Sequence, residues 1–181
     1  MSRSWNEQEL RAASAAMKAA GHMSYEEFCE ELERQNSFEK DYQEEQENLK
    51  AYQAAKEAGN EVGIEAARAA HSAHMAEIEA KGEAYCRIYR EYELSRVCGN
   101  TYLDLNDVIW DKDVESLISG IRASGIRHFT FSSTWSSAVE TAWLFQQNGC
   151  KLEGLVEING RGKKFMSDEY EKAHGYLFSI G

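Results

Sequence analysis

Residues His128 to Asn159 read HFTFSSTWSSAVETAWLFQQNGCKLEGLVEIN, and this stretch contains the pattern strand, helix, strand. Arg127 to Ser132 alternates aromatic and polar side chains, which predicts a strand, and the aliphatic residues of Leu152 to Ile158 predict another. The residues between them repeat apolar side chains at helical spacing up to Asn148-Gly149, a pair that tolerates the left-handed conformation at a helix end. A β-α-β unit therefore organises the second half of the chain.

Further strands and a helix are predicted on both sides of this unit. Tyr102 to Leu105 predicts a short strand, and Asp111 to Gly125 predicts a helix whose apolar side chains share one face. After the turn-favouring pair Asn159-Gly160, Tyr176 to Ile180 predicts a last strand. Residues 99–181 are therefore predicted to form a small β-α-β-α-β-β domain in which two helices cover a sheet.

The composition of the chain changes near Cys98 and Gly99. Residues 1–98 contain 18 of the 22 alanines and carry 20 acidic and 12 basic side chains, a net charge of −8. Residues 99–181 carry 11 acidic and 8 basic side chains, a net charge of −3, which completes the total of −11. We therefore divide the chain into a helical region, 1–98, and a small α/β domain, 99–181.

The sequence of residues 1–98 predicts three helices. A Ser-x-x-Glu capping box at Ser4 starts the first helix, which runs to Gly21, and another at Ser24 starts the second, which ends near Gly59-Asn60. The third helix carries an apolar seam with a period close to 3.5, formed by Ile64, Ala67, His71, Met75, Ile78, Gly82, Tyr85, Tyr89 and Tyr92. The second and third helices are expected to form a long, coiled-coil-like antiparallel hairpin, which makes the fold class α+β. Its alanine-rich seam buries little apolar area, so we expect a partner surface from the first helix or from another copy.

Charge and composition exclude several classes of protein. A net charge of −11 and a pI near 5.0 argue against a nonspecific nucleic-acid coat and a polybasic membrane binder, because both need positive surface. No apolar run approaches the roughly 20 residues of a membrane span. The four cysteines stand far apart, at Cys29, Cys86, Cys98 and Cys150. We therefore expect a soluble protein with reduced thiols in a cytoplasm, without direct nucleic-acid or membrane binding.

The stretch from His128 to Asn159 also resembles a small uncharacterised α/β domain found in proteins of phages and mobile elements of Gram-positive bacteria. The resemblance rests on the aromatic-Thr-aromatic strand, the serine-rich helix start, the Phe-Gln-x-x-Gly helix end and the Leu-Glu-Gly-Leu strand start. It brings no catalytic residues. The resemblance implies that this chain is similar in kind to anti-CRISPR and other anti-defence proteins. These proteins bind and block a host nuclease in the cytoplasm of a bacterial host.

An acidic stripe in the helical region offers a means of binding such a target. Glu26, Glu30, Glu33, Glu44 and Glu47 fall on one heptad stripe, and successive helical turns space them by about 5.4 Å. That spacing is of the order of phosphate spacing in nucleic acid, so a rigid acidic rod could occupy a basic nucleic-acid channel as a DNA mimic. The favoured alternative is a solvated face of a coiled coil, which needs charges in any case.

Serines cluster where the strand at Arg127 to Ser132 meets the following helix. Ser132, Ser133, Ser136 and Ser137 could hold an anion at the helix start, or one of them could serve a small hydrolase. The chain has neither a G-x-S-x-G motif nor a glycine-rich phosphate loop here. Capping of the helix by Ser132 or Ser133 is therefore the preferred interpretation.

Two histidines one helical turn apart, His71 and His74, could bind a metal together with Glu77 or Glu79. A single H-x-x-H match without further context is weak, and both histidines lie in an alanine-rich seam. Packing or surface roles are favoured, so we predict no metal and no cofactor.

Aromatic side chains concentrate around the second α/β helix, at Trp110, Trp135, Trp143 and Phe145. Most of them are expected in the core. Trp135, at the helix start, is expected to be exposed, and an exposed tryptophan is a plausible anchor for a protein interface.

The sequence thus predicts a non-enzymatic, protein-binding inhibitor. In its most specific form, the acidic helices block a CRISPR effector nuclease or another nucleic-acid-binding host protein, and the α/β domain adds grip or makes a homodimer. The alternative is a structural or regulatory adaptor that self-associates through the helical seam. A small hydrolase that uses the Ser132 region is the third possibility.

Overall fold

The computed structural model describes Glu27, residues 35–106 and residues 109–181. The predicted helix from Ser4 to Gly21 lies outside these residues, as does most of the chain between Ser24 and Asn36. Contacts divide the chain into two units, Met1–Gln35 and Asn36–Gly181. Apart from Glu27 and Gln35, the described residues belong to the second unit.

Helix α1, Ser37–Glu57, begins at a capping residue. Asn36 is extended, with φ −125° and ψ 164°, and its side-chain oxygen accepts a hydrogen bond of 2.9 Å from the backbone N–H of Glu39. The prediction of one continuous helix from Ser24 to Gly59-Asn60 is therefore wrong, because an extended residue interrupts it. The predicted end is confirmed, since Gly59 has a left-handed φ of 64° directly after the helix.

Two helices replace the single third helix that the heptad pattern predicts. Helix α2 spans Glu61–Ala80, and helix α3 spans Glu83–Val97. Gly82 lies between them with φ 98°, a conformation open to glycine and incompatible with a continuing α-helix. The four-heptad seam is therefore wrong, because its apolar positions belong to two helices with different neighbours. A short connection makes α1 and α2 antiparallel neighbours, as the ion pair between Asp41 and Lys81 shows.

The rest of the chain alternates strands and helices, and the α+β class is confirmed. The elements are β1 (Leu103–Leu105), α4 (Asp111–Ser124), β2 (His128–Phe131), α5 (Ala138–Gln147), β3 (Cys150–Lys163) and β4 (Tyr170–Ile180). The sheet has the strand order β1-β2-β4-β3. Strand β2 is parallel to β1 and antiparallel to β4, and β3 is antiparallel to β4. The predicted end of α4 at Gly125 is confirmed by its left-handed φ of 90°.

The long β3–β4 hairpin differs from the prediction. Asn159 and Gly160 lie within β3, so the predicted turn at this pair is wrong. Asn159 pairs with Lys172 of β4, and its backbone also exchanges two hydrogen bonds with the side chain of Asn100. These long-range bonds hold the pair extended despite its local preference for a turn. The chain reverses further on, in a turn closed by a 3.1 Å bond from Ser167 N–H to Lys164 C=O.

One hydrophobic core joins the sheet to the helices. Its centre is a cluster of buried phenylalanine rings, 5.1 to 5.5 Å from one another in the contacting pairs, formed by Phe129, Phe131, Phe145 and Phe178. Ile88 and Tyr92 of α3 belong to the same core. The core therefore crosses the chain position at Cys98–Gly99, where the composition predicts a boundary between a helical region and an α/β domain. That boundary stays a prediction.

Within the described residues, none of the helices combines the length and the apolar composition that crossing a membrane requires.

Candidate functional site

Three tryptophans lie on the surface. Trp110, Trp135 and Trp143 expose 63%, 66% and 60% of their surface, whereas Phe145 is fully buried. The expectation that most of this aromatic cluster is core is therefore wrong for Trp110 and Trp143, and the exposure predicted for Trp135 is confirmed. Trp110 precedes the first residue of α4, and Trp143 lies on the face of α5 that points away from the sheet.

Helix α5 is apolar on two faces. Ala142 and Phe145 pack into the core, while Val139 and Trp143 lie one turn apart on the exposed side. Trp135 continues the same four-residue spacing one turn before the helix, where its C=O accepts a 3.1 Å bond from Ala138 N–H. Large apolar side chains on a helix usually face the core, so the exposure of Val139 and Trp143 on the outer side of α5 departs from that pattern.

Strand β3 adds two leucines to this apolar surface. Leu152 pairs with Phe178 and Leu155 with Tyr176, and the register shifts between them, at Glu153. This bulge turns both leucines towards the face that α5 covers. Helix α5 packs on β3 without covering it, so Leu152 is partly exposed and Leu155 is 67% exposed. We call Trp135, Val139, Trp143, Leu152 and Leu155 the α5 surface.

The α5 surface is large and almost uncharged. With roughly 200 Å² for a tryptophan and roughly 100 Å² for an aliphatic side chain, its five members expose about 400 Å² of apolar area. The largest apolar patch of a typical monomeric protein is about 300 to 600 Å² and is often functional, and the summed exposure of these five residues lies within that range. Between residues 129 and 150, Glu140 is the single Asp, Glu, Lys or Arg in the sequence. The sequence contained two signals of this surface, the scarcity of charge in this stretch and the apolar residues on both faces of the helix. It contained no signal that these residues are exposed.

A second group of polar residues is buried at the ends of the two parallel strands. The carboxylate of Asp104 accepts hydrogen bonds from the hydroxyls of Thr130, at 2.7 Å, and Ser132, at 2.8 Å. The side chain of Asn106 donates to the Ser132 hydroxyl at 2.6 Å. Burial raises the pKa of Asp104, and the two hydroxyl bonds oppose that shift. Hydrogen bonds between side chains therefore connect β1 to β2 in this cluster.

The serine predictions are corrected by this geometry. Neither Ser132 nor Ser133 caps α5, whose first residue follows Ser137, and the Ser137 side chain makes no capping bond. Ser132 is 4% exposed, and its hydroxyl is engaged by Asp104 and Asn106. A nucleophilic role would require this hydroxyl to leave its partners and reach solvent. Ser133 instead accepts a 3.1 Å bond from the backbone N–H of Trp135, which holds the start of the α5 surface.

The histidines of α2 face α1. His71 Nδ1 lies 3.0 Å from Glu45, and the buried His74 has its Nδ1 3.3 Å from Glu44. No group of three His, Cys, Asp or Glu side chains in the described part of the chain is placed to hold a metal ion. His71 therefore bonds Glu45 across the helical hairpin, whereas the ring nitrogens of His74 make no hydrogen bond to the described residues.

Part of the predicted acidic stripe is described. Glu26, Glu30 and Glu33 lie outside the described residues, and Glu44 and Glu47 are exposed on α1. Two members of the predicted stripe are thus described, and Glu44 lies 3.3 Å from Nδ1 of His74.

Two other acids of α1 have structural partners that the sequence pattern did not reveal. Asp41 binds Lys81 at 2.7 Å, and the Tyr92 hydroxyl donates to Glu39. Both carboxylates are buried. Acidic residues of α1 thus hold the helices together as well as facing solvent.

The chain belongs to the family described as Domain of unknown function (DUF7698), which matches residues 87–180. The match begins within α3 and ends with β4, so it includes both the buried polar cluster and the α5 surface. Comparison with curated proteins and with solved structures finds no match for the chain.

Proposed function

We propose that this chain is a non-enzymatic protein-binding domain, and that the α5 surface is where it binds. The observation that carries the proposal is the exposure of Val139 and Trp143 on a helix whose other face is in the core, together with the exposure of Trp135 in the turn before that helix. Tryptophan is among the residues that contribute most to protein interfaces, because its large apolar area is ordered at a small cost in conformational entropy.

Burial of this surface would contribute to the energy of binding. About 400 Å² of apolar area, at about 25 cal/mol per Å², corresponds to about 10 kcal/mol of gross burial energy. Association costs about 4 to 15 kcal/mol in lost freedom of motion, so the packing of the tryptophans and the polar contacts around them decide the affinity. The buried state of Ser132 favours a binding role over hydrolysis, because a nucleophile must be reachable by its substrate.

An inhibitor of this kind would bind a protein partner of a defined class. In this form, the partner is a CRISPR effector nuclease or another nucleic-acid-binding protein in the cytoplasm of a bacterial host, as the resemblance of the sequence implies. The net charge of −11 and the exposed Glu44 and Glu47 support approach to a basic surface. The acidic side chains would then speed the encounter with the basic partner, and the α5 surface would add grip or join two copies of the chain.

Photo-crosslinking tests the proposal in cells that contain such effectors. A photoreactive phenylalanine analogue at position 143 should capture a partner protein, and the same analogue at Glu115, an exposed position on α4, should not. With the captured protein purified, Trp143→Ala should weaken binding by about tenfold or more, whereas Glu115→Ala should leave it unchanged. Equal capture at both positions, or equal affinity of both variants, would contradict the proposal.

A charge-reversal experiment separates the two surfaces. Glu44→Lys with Glu47→Lys should slow association with a basic partner and make it less sensitive to salt, while the dissociation rate changes little. If the double variant associates as fast as the parent at low salt, acidic mimicry is wrong and the apolar contact alone remains.

A further inference from the structure

We propose that the α5 surface binds a second copy of this chain, forming a two-fold symmetric dimer in which the two α5 helices pack antiparallel. The inference rests on the proposed function, since it names the partner that occupies the same surface. The spacing of the surface residues, their area and charge, and the neighbouring edge of the sheet support this dimer.

The apolar residues of α5 have the symmetry that a two-fold axis requires. Val139 lies midway between Trp135 and Trp143, four residues from each. When two such helices pack antiparallel with the axis at Val139, Trp135 of one copy faces Trp143 of the other, and both pairs are equivalent. Val139 and Trp143 are about 6 Å apart along α5, and Trp135 lies in the turn before the helix, so a large side chain lies on each side of the small central one. This large-small-large pattern is complementary to itself.

The exposed area fits a dimer that forms at moderate concentration. The α5 surface contributes about 400 Å² of apolar area, which is about half of the roughly 800 Å² per partner in a standard interface. Polar neighbours of the surface, such as Gln146 and Gln147, are exposed on the same helix and would contribute the remaining area. Apolar atoms typically make up somewhat more than half of an interface, as they would here.

Charge favours self-association at this surface over other parts of the molecule. Two copies that each carry −11 repel one another wherever acidic side chains meet. The stretch from 129 to 150 carries Glu140 as its one charged side chain, so fewer like charges meet here than along the acidic helix α1. On the neighbouring strand, Glu153 is paired with Lys151 at 3.0 Å and Glu157 with Lys172 at 3.2 Å. The acids beside the surface are therefore neutralised within their own chain.

Within the described residues, the two edges of the sheet differ in the hydrogen bonds that cover them. At the opposite edge, the backbone N–H of Asp104 in β1 is bound by the Ser95 hydroxyl at 2.8 Å. On β3, Asn100 covers the edge at Asn159, and between residues 150 and 157 the strand pairs with β4 alone among the described strands. The bulge at Glu153 interrupts a regular ladder along this edge. The helices, and not an extended sheet, would therefore make the contact, and a second copy would also shield the edge.

The molar mass of the full chain in solution tests this dimer. Sedimentation equilibrium at about 100 µM should give twice the 20.5 kDa of one chain, and dilution should return the single mass. Val139→Arg places two like charges at the axis and should raise the dissociation constant by about a hundredfold. Glu115→Arg introduces arginine at an exposed position on α4 and should leave the dimer intact. High salt should not dissociate the parent, because the contact is apolar.

Crosslinking gives an independent measurement of the geometry. Val139→Cys should form a disulfide between copies under mild oxidation, because the two-fold axis brings this position against itself. Glu115→Cys and the parent should form far less. A parent that stays at 20.5 kDa throughout overturns the dimer, and so does a dimer that Val139→Arg leaves unchanged. If the parent is monomeric while the photoreactive group at position 143 still captures another protein, the dimer fails and the proposed protein-binding function stands.

Discussion

Gly120 of α4 marks a close approach to α3, and replacing it by alanine should destabilise the protein in a way that a second substitution reverses. A Cβ atom at position 120 would lie 2.6 Å from Cδ1 of Ile88, well inside van der Waals contact. Ile88 is fully buried, so its side chain has little room to move. Ile88→Val removes the Cδ1 atom and leaves space for the new methyl group.

The magnitudes follow from three terms. Gly120→Ala gains about 1 kcal/mol of helix propensity and loses about 2 kcal/mol to overpacking, a net loss of about 1 kcal/mol in the free energy of unfolding. Ile88→Val alone loses about 1 kcal/mol because it leaves a small void. In the double variant the new methyl fills the void, so the stability should return to that of the parent or slightly above it. The coupling energy between the two sites is therefore about 2 kcal/mol.

Urea unfolding followed by circular dichroism measures all four proteins of this cycle. The controls are the unchanged slopes of the unfolding curves, which show that the substitutions affect the folded state. If the two single losses add within about 0.5 kcal/mol in the double variant, Gly120 and Ile88 are not in contact. The packing of α3 on α4, and with it the core that crosses Cys98–Gly99, would then be refuted.

Three further substitutions or modifications have defined outcomes. Burial raises the pKa of Asp104, so the folded protein keeps the carboxyl proton at pH values where the unfolded chain has released it. Stability should therefore fall as pH rises from about 4 through the raised pKa of Asp104. Asp104→Asn should remove this pH dependence of stability, as thermal unfolding measured across pH would show. Burial raises the pKa of the Cys150 thiol to about 11, so iodoacetamide at about pH 8 should label it slowly until the chain unfolds, and equal labelling of folded and unfolded protein by mass spectrometry would contradict this. Met166 has a left-handed φ of 56° and is exposed, so Met166→Gly should raise the free energy of unfolding by up to about 1 kcal/mol, whereas Phe165→Gly, its neighbour in the same turn, should give no gain.

Local signals predicted the elements of residues 99–181 well. The helix of Asp111–Ser124 ends at the glycine that the sequence marked, because a residue with positive φ is a local requirement that glycine meets at low cost. The strand at His128–Phe131 follows from alternation of side chains, which is also a local property. The interrupted helices in residues 36–97 also had local signals, at Asn36 and Gly82, but the apolar period continued through both residues and concealed them.

The candidate surface was visible in part. Exposure of Trp135 was expected from its place at a helix start, while Trp143 was expected in the core because a tryptophan in an apolar helix usually is buried. How much of α5 is covered depends on the position of the strands that pack against it. That position is decided by the strand order and by the bulge at Glu153, which are relations between distant residues.

The sequence by itself determined the α+β class, most helix and strand positions after Cys98, and the acidic character of the chain, because periodicity, capping residues and charge act over a few residues or simply add up. Only the tertiary structure decided that Asn159 stays extended, that Ser132 lies beside Asp104, and that one face of α5 is left uncovered. Each of these depends on contacts between residues far apart in the chain, and such contacts override the local preference of a turn pair, a capping serine or a tryptophan.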